Sequence, residues 1–193
     1  MNDLIVIDTE QSTTKAVPQE KYELLKVYGE DYSLLREKLP EFDLEELRDP
    51  VIQNIIKKLK ATMHAYAGLG LSANQCGYHM RMFVIGTDQF QITCINPKVV
   101  WESENKVKRK EGCLSFPGLA LSIDRPETIG VEYYNEKGEL KQETFTGTTA
   151  QCFLHELDHL NGIRMIDHVK PVALQMAKKR QKKIMKLIKR NTR

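Results

Sequence analysis

The chain has 193 residues, of which 41% are hydrophobic and 28% are charged, and its formal net charge is +3. This composition is typical of a soluble globular protein, and the length favours one domain with a full hydrophobic core over a disordered or disulfide-stapled chain. No apolar run approaches the ~20 residues of a membrane-spanning helix and no targeting peptide is recognisable, so a cytoplasmic location is expected.

The N-terminal part of the chain has a helical pattern without a functional motif. The pattern covers residues 20–39 and is interrupted near Gly29. We therefore expect a helical extension of about residues 1–40 that packs within a single catalytic domain of residues 1–169. The alternative is that this extension serves a partner.

A helix that begins at Asp49 is the clearest element of the first half. Asp49 suits the N-cap and Pro50 the first turn. An apolar stripe at helical spacing follows and ends before Gly68. Its members are Ile52, Ile55, Ile56, Leu59, Met63 and Tyr66. The stripe indicates core packing and not a functional surface.

Most of the chain between residues 71 and 147 predicts β-strands. Strands are expected at residues 82–86, 128–134 and 140–146, and the sequence NEKG at residues 135–138 is typical of a hairpin turn. Together with the helices, these strands predict an α+β fold in which antiparallel sheets surround a central helix.

The central helix is expected over residues 149–160, and it contains the HELDH sequence at residues 155–159. His155 and His159 are four residues apart, so on a helix they share a face and can bind one divalent ion. Glu156 points away from that axis, where it can take a proton from a water molecule. The alternative is a surface helix that has two histidines by chance.

An open catalytic metal site usually has three protein ligands and a water molecule, so a third ligand is required. The downstream ligands of metalloproteases are missing, because position 165 is Met165 and no glutamate follows Glu156. Asp167 and His168 lie too close to the end of the helix. The third ligand must therefore lie upstream, and Cys113 is the strongest candidate.

Cys113 lies in the sequence EGCLSFPG at residues 111–118, whose glycines and proline predict a sharply shaped loop or strand end. The other cysteines are Cys76, Cys94 and Cys152, and no CxxC pair occurs. This spacing argues against a disulfide framework. A thiolate at Cys113 needs a stabilising positive charge, which a metal ion supplies.

Three segments in series resemble the peptide deformylases. They are GLGLSANQ at residues 68–75, EGCLS at residues 111–115 and HELDHLNG at residues 155–162. They are similar to the family's glycine-rich first motif, its EGCLS motif and its HExDHLxG motif, in the family's order. The resemblance spans roughly residues 42–168. It implies a metallohydrolase that removes the formyl group from the N-terminal formylmethionine of new polypeptides and releases formate.

The resemblance implies that Cys113, His155 and His159 bind one divalent metal ion and that Glu156 is the catalytic base. Ferrous iron is the physiological metal that the family most often uses. Zinc, nickel or cobalt would also suit these ligands.

The resemblance further implies that the side-chain amide of Gln75 and the backbone N–H of Leu114 stabilise the developing oxyanion. The alternative for Gln75 is an ordinary polar loop residue. Gly68 and Gly70 would let the backbone lie close to the reacting groups and the substrate.

The formylmethionine side chain is expected to bind in an apolar pocket beside the metal helix. The residues expected to bind the substrate are Leu69, Gly70, Gly112, Thr148, Gln151 and Cys152. Thr148 and Gln151 are more polar than the family's pattern, and the alternative is that they form a capping box at the start of the helix.

Around the ligands, Arg125 is expected to pair with Glu111 or Asp158 and so to support the metal site. Ala120 departs from the family's pattern, since many members have an arginine there that helps to hold the peptide backbone. This departure bears on affinity and peptide preference and not on the reaction.

The C-terminal segment, residues 170–193, contains ten lysines or arginines and no acidic residue. Its apolar residues are expected on one face of a basic amphipathic helix. They are Ala173, Ala177, Ile184, Leu187 and Ile188. Such a helix could be a solvated surface element, a membrane-surface binder or a binder of RNA phosphates. Formylated nascent chains emerge at the ribosome, and a C-terminal helix docks there in some bacterial relatives, so ribosome contact is the hypothesis.

Two other functions are compatible with parts of the sequence. A metallopeptidase or another metallo-amidase would use the same ligands, but the missing downstream ligand argues against a protease. A catalytically dead module that binds RNA or the ribosome would be expected to have lost a ligand or the base. Glu156, Gln75 and Cys113 are all present.

Overall fold

A computed structural model of the chain describes residues 22–87 and 89–191. In these residues seven strands and three α-helices form the α+β fold that the sequence predicts. The strands are β1 (Gly70–Ser72), β2 (Met82–Gly86), β3 (Gln91–Glu102), β4 (Lys106–Gly112), β5 (Ala120–Pro126), β6 (Thr128–Tyr134) and β7 (Leu140–Thr146), and the helices are α1 (Pro50–Ala65), α2 (Gly147–Leu160) and α3 (Pro171–Asn191). Short 3₁₀ helices cover Ser33–Arg36, Leu44–Arg48, Ala73–Cys76 and Met165–His168.

Two antiparallel sheets flank the central helix. The larger sheet has the strand order β1-β2-β3-β6-β7, and the smaller sheet consists of β4 and β5. The three strands predicted from the sequence are confirmed at their predicted bounds. In the turn between β6 and β7, Gly138 has a φ of 76°, and the side chain of Asn135 accepts hydrogen bonds from the backbone N–H groups of Lys137 and Glu139. Both features fix a tight connection.

Helix α1 packs its predicted stripe into the core. The Asp49 side chain accepts a hydrogen bond from the N–H of Val51 at 2.8 Å, which caps the helix as expected. Ile56 and Leu59 are buried with the other members of the stripe, but Tyr66 is 53% exposed. Tyr66 is the C-cap that follows the last helical residue, Ala65, so it does not continue the buried face of the helix.

The central helix α2 lies between the two sheets and is buried over much of its length. The predicted helix is confirmed and begins two residues earlier, at Gly147. Phe153 is fully buried and packs edge-on against Phe83 of β2 at a centroid distance of 5.1 Å. This packing fixes α2 against the larger sheet, and it therefore fixes the position of the residues that follow Phe153.

The helix predicted for residues 20–39 is wrong in its described part, and residues 1–21 lie outside the described residues. The chain from residue 22 to residue 32 has no regular structure, and a 3₁₀ helix covers only Ser33–Arg36. Backbone hydrogen bonds hold the segment to other elements, as from Tyr28 N–H to the Gln75 carbonyl at 2.8 Å. Contacts with the rest of the domain therefore override the local helical pattern.

Helix α3 packs on the smaller sheet. Leu174 and Ala177 contact the cluster that contains Phe116 and Leu121. The predicted apolar face is only partly correct, because Ala177 is on the packed face whereas Ile184 is 45% exposed. Leu187, Ala173 and Val172 are also exposed, and Met185 takes the inner position next to Gly118. No described helix is both long enough and apolar enough to cross a lipid bilayer.

Candidate active site

A cavity of about 660 Å³ lies between β1, the end of β4 with its following loop, and α2. The cavity is lined by the three segments that the sequence analysis singled out. Helix α2 contributes two residues of the HELDH motif, His155 and Glu156, and the loop after β4 contributes Cys113. β1 contributes Gly70, and the 3₁₀ helix after it contributes Gln75. The fold therefore brings together motifs that are far apart in the chain.

Cys113, His155 and His159 form a compact group of metal-binding atoms. One ligand atom from each residue lies within 4.8 Å of the other two. Cys113 Sγ is 3.2 Å from His159 Nε2. The two imidazole rings lie on the same face of α2 with their centroids 5.1 Å apart, as their spacing of four residues requires.

The chemistry of this group fits a divalent cation. Burial lowers the pKa of His159 well below its usual value, so its imidazole is neutral, which is the form that binds metal ions. Burial alone would also lower the pKa of His155, but the nearby Cys113 thiol and the hydrogen bond with Glu111 outweigh burial and raise it. A positive charge is therefore favoured between these side chains. A metal ion bound to one thiolate and two imidazoles would supply that charge.

Glu111, Arg125 and Asp158 form the supporting group that the sequence analysis expected. Glu111 Oε2 lies 2.9 Å from His155 Nδ1. Arg125 donates to both carboxylate oxygens of Glu111, at 2.8 and 3.1 Å, and to Asp158 at 2.7 Å. The bonds with His155 and Arg125 outweigh burial and lower the pKa of Glu111 to about 2. His168 adds a contact that the sequence did not indicate, with Nε2 2.7 Å from Asp158.

Glu156 is adjacent to the ligands in sequence and lies in the cavity wall. Its side chain is buried, and Oε2 has no hydrogen-bond partner among the described residues. Burial raises the pKa of Glu156 to about 7, although the charge of His155 opposes that rise. A buried carboxylate with a pKa near neutrality can both accept and return a proton.

Gln75 is fixed at both ends of its amide group. Its Oε1 accepts hydrogen bonds from the backbone N–H and the hydroxyl of Ser72, each at 2.9 Å. Its Nε2 donates to the Ser115 hydroxyl at 3.1 Å and lies 3.4 Å from Cys113 Sγ. The donor end of the amide therefore faces the metal-binding atoms. Leu114, the second predicted oxyanion residue, lines the same cavity.

Gly70 lies against the side chain of Glu156. A Cβ atom at this position would lie 2.5 Å from Oε1 of Glu156 and 2.8 Å from Sγ of Cys152. The Cys152 thiol donates to the carbonyl of Leu69 at 3.1 Å. All four residues line the cavity, and so does the predicted substrate-binding residue Gly112. β1 can therefore lie against α2 only because residue 70 has no side chain.

The alternative role of Thr148 and Gln151, a capping box at the start of the helix, is wrong. The helix begins at Gly147, so its N-cap is Thr146, whose side chain makes no capping hydrogen bond. A capping box would require Thr148 to precede the helix, but Thr148 is inside the first turn. Thr148 and Gln151 instead line the cavity.

Several cavity residues were not singled out from the sequence. Val27 belongs to the irregular N-terminal segment and has no motif around it. Tyr66 was assigned to the core because it continues the stripe of α1. Lys110 is in a run of alternating lysines on β4, a pattern that predicts an exposed strand face but not a site. The remaining residues of this kind are Ala67, Phe116, Pro117, Gly118 and Leu119.

Comparisons with known proteins agree with this geometry. Residues 24–175 match the family model described as polypeptide deformylase, so the matched region includes the described N-terminal segment from residue 24 onward. A peptide deformylase of Thermotoga neapolitana is 37% identical over 132 residues, which cover 68% of this chain and 80% of the relative. One from Aquifex aeolicus is 39% identical over 144 residues, which cover 72% and 85% of the two chains.

Solved structures show the same fold. The crystal structure of a peptide deformylase from Legionella pneumophila superposes with a TM-score of 0.78 at 29% identity and covers 87% of this chain and 99% of its own. A peptide deformylase from Synechococcus elongatus, solved in complex with actinonin, has a TM-score of 0.76 at 28% identity and covers 88% and 94% of the two chains.

Proposed function

Because the chain belongs to the polypeptide deformylase family, it is a metal-dependent hydrolase that removes the N-formyl group from newly synthesised polypeptides, and we propose a role for each residue of its cavity. The carrying observation is that one cavity is lined by Cys113 and His155, whose ligand atoms converge with that of the buried His159, and also by a buried carboxylate with an unpaired oxygen. The leaving group is the amino terminus of formylmethionine, and the other product is formate.

Cys113, His155 and His159 hold the metal ion in this proposal. The compact arrangement of their ligand atoms supports the assignment. Ferrous iron is the proposed physiological metal, and zinc, nickel or cobalt suit the same donors. When bound, the ion acidifies a water molecule and polarises the formyl carbonyl. Glu111 accepts the hydrogen bond of His155 Nδ1, which leaves Nε2 of that ring for the metal.

Glu156 acts as the general base and then as the general acid. It takes a proton from the attacking water and gives the proton to the amine that leaves. A pKa of about 7 suits both transfers at neutral pH. The unpaired Oε2, buried in the cavity wall, supports this role because it has no competing partner among the described residues.

Gln75 and Leu114 stabilise the negative charge that develops on the formyl oxygen. The Gln75 amide needs no reorientation for this task, since Ser72 holds its oxygen and leaves Nε2 beside Cys113. The backbone N–H of Leu114 is the second donor in the proposal. Preorganised neutral donors of this kind stabilise a transition state without adding a titrating charge.

The substrate lies in the remainder of the cavity. Gly70 and Gly112 let an extended peptide approach the backbone on two sides. The methionine side chain would contact Leu69 and Cys152, and Thr148 and Gln151 would lie nearby. The position of these residues in the cavity lining supports this assignment.

We further propose a cytoplasmic location and contact between α3 and the ribosome. Lys182, Lys183 and Lys186 of α3 are exposed, and the helix has no acidic residue to offset their charge. Replacing these three lysines with glutamate should abolish co-sedimentation with ribosomes while formate release from a free peptide persists. Unchanged co-sedimentation would refute the contact.

Formate release tests the central proposal. The protein, prepared without oxygen and loaded with ferrous iron or nickel, should release formate from formyl-Met-Ala-Ser, and Glu156→Ala should not. A metallopeptidase, the alternative, would cleave internal peptide bonds and release no formate. If neither protein releases formate although metal is present at one ion per chain, the assigned substrate is wrong.

A further inference from the structure

Lys110 lies at the rim of the active-site cavity. It is an exposed residue of β4, two positions before Gly112, and it lines the cavity together with Gly112 and Cys113. Alternate residues of a strand point to the same side, so Lys110 and Gly112 lie on one face of β4, and both line the cavity. The position of Lys110 beside the cavity is evident only from the structure, because the sequence pattern predicts exposure and nothing more.

The charge of Lys110 is not neutralised by its surroundings. Among the described residues that line the cavity, it is the one lysine or arginine, and it forms no ion pair with the described part of the chain. Lys108, on the same face of β4, is different because its ammonium lies 3.6 Å from Asp124. Lys108 does not line the cavity. Opposite Lys110 on β5 is Ser122, which adds no compensating charge.

From this geometry we propose that Lys110 is a specificity-determining residue that binds an acidic side chain of the substrate downstream of the formylmethionine. The inference rests on the deformylase function, since it assumes that the formyl group lies at Cys113, His155 and His159. Lys110 is three residues before Cys113, which corresponds to roughly 10 Å along a strand that rises about 3.3 Å per residue. An extended peptide would cover that distance with about its third or fourth residue.

The interaction is an exposed ion pair, so its effect is moderate. Pairs of this kind change binding up to about fivefold and weaken as salt concentration increases. The interaction is the same in the bound substrate and in the transition state, because the reacting bond is remote from it. It should therefore change KM and leave kcat nearly constant.

Formylated peptide amides test the proposal. The peptides are formyl-Met-Ala-Ala-Ala variants with Glu, Gln or Lys at the third or the fourth position. At one of these two positions, the nickel-loaded protein should process the Glu peptide with a kcat/KM about threefold to fivefold above that of the Lys peptide. The difference should come from KM and not from kcat. Lys110→Gln should remove the preference and Lys110→Glu should reverse it. The preference should shrink as the salt concentration is raised.

Lys57→Glu is the matched control, since Lys57 is an exposed lysine of α1 that does not line the cavity. It should retain the wild-type preference. Equal kcat/KM values for the Glu, Gln and Lys peptides would overturn the proposal, and so would the same loss of preference in Lys57→Glu, which would indicate an effect of net charge. Absence of formate from every peptide would overturn the deformylase function and this inference with it.

Discussion

Nδ1 of His155 lies 2.9 Å from Oε2 of Glu111, and this contact connects a metal-binding residue to a buried ion pair. The carboxylate of Glu111 is held on its other side by the guanidinium of Arg125, which also reaches Asp158. A histidine held in this way has one ring orientation, so its Nε2 is directed at the neighbouring ligands before a metal arrives.

Glu111→Gln should weaken metal binding. The substitution keeps the size of the side chain but removes the charge that orients His155 and that balances Arg125. Loss of such an outer partner typically reduces metal affinity by about 10- to 100-fold. Competition with a chelator measures this affinity. Lys108→Gln, which removes an exposed ion pair, should leave it unchanged, and equal affinities for the two variants would contradict the proposed role of Glu111.

The lowered pKa of Glu111 also predicts how the stability of the metal-free protein depends on pH. The pKa of Glu111 in the folded protein is about 2, below the ~4.3 of an unfolded glutamate, because hydrogen bonds with His155 and Arg125 outweigh burial. Its contribution to the free energy of unfolding is therefore present above ~pH 4.3 and is lost as the pH falls towards 2. Urea denaturation at several pH values should show that wild type and Glu111→Gln converge in that range. A constant difference would contradict the prediction.

Gln75→Glu should reduce the rate and leave the fold intact. A glutamate can still accept the hydrogen bonds of Ser72, but it offers no N–H beside Cys113 and adds a negative charge where the oxyanion develops. Removal of one such donor typically lowers kcat by about 100- to 1,000-fold. Steady-state formate release measures this, with melting temperature and metal content as controls. A change confined to KM would indicate that Gln75 only holds the substrate.

Local sequence patterns predicted the parts of the fold that are determined by residues close to one another in the chain. Thr128–Tyr134 and Leu140–Thr146 were predicted at their exact bounds because the turn between them has its own chemistry. The spacing of His155 and His159 indicated a shared face because helical geometry is local. Cys113 could be identified as the third ligand only by eliminating other candidates and by the family resemblance, because long-range packing sets its position relative to the histidines.

The predictions that were wrong or missing concern positions that depend on distant parts of the chain. The N-terminal segment has a helical pattern, but its backbone forms hydrogen bonds with distant residues, as between Tyr28 and Gln75. Thr148 and Gln151 match a capping box in sequence, yet the helix starts before them. The cavity position of Lys110 depends on how the end of β4 meets α2 and β1, which no local pattern contains.

Gly70→Ala tests whether the position of Glu156, the proposed base, is fixed by β1. The added methyl group would lie 2.5 Å from Oε1 and 2.8 Å from Cγ of Glu156, so either the carboxylate or β1 must shift. A displacement of about 1 Å of a catalytic group can cost on the order of 100-fold in rate. We expect kcat to fall by about 10- to 100-fold while metal content stays near that of the wild type, because the atoms nearest to the new methyl group belong to Glu156 and Cys152 and not to a metal ligand.

Gly29→Ala is the control for that substitution. A Cβ atom at residue 29 would have no heavy atom within 4 Å, and the residue does not have a positive φ. This variant should retain full activity, so a general effect of replacing glycine can be separated from an effect on Glu156. Wild-type kcat in Gly70→Ala would show that Glu156 tolerates displacement, and it would contradict the proposal that β1 holds the base in its reactive position.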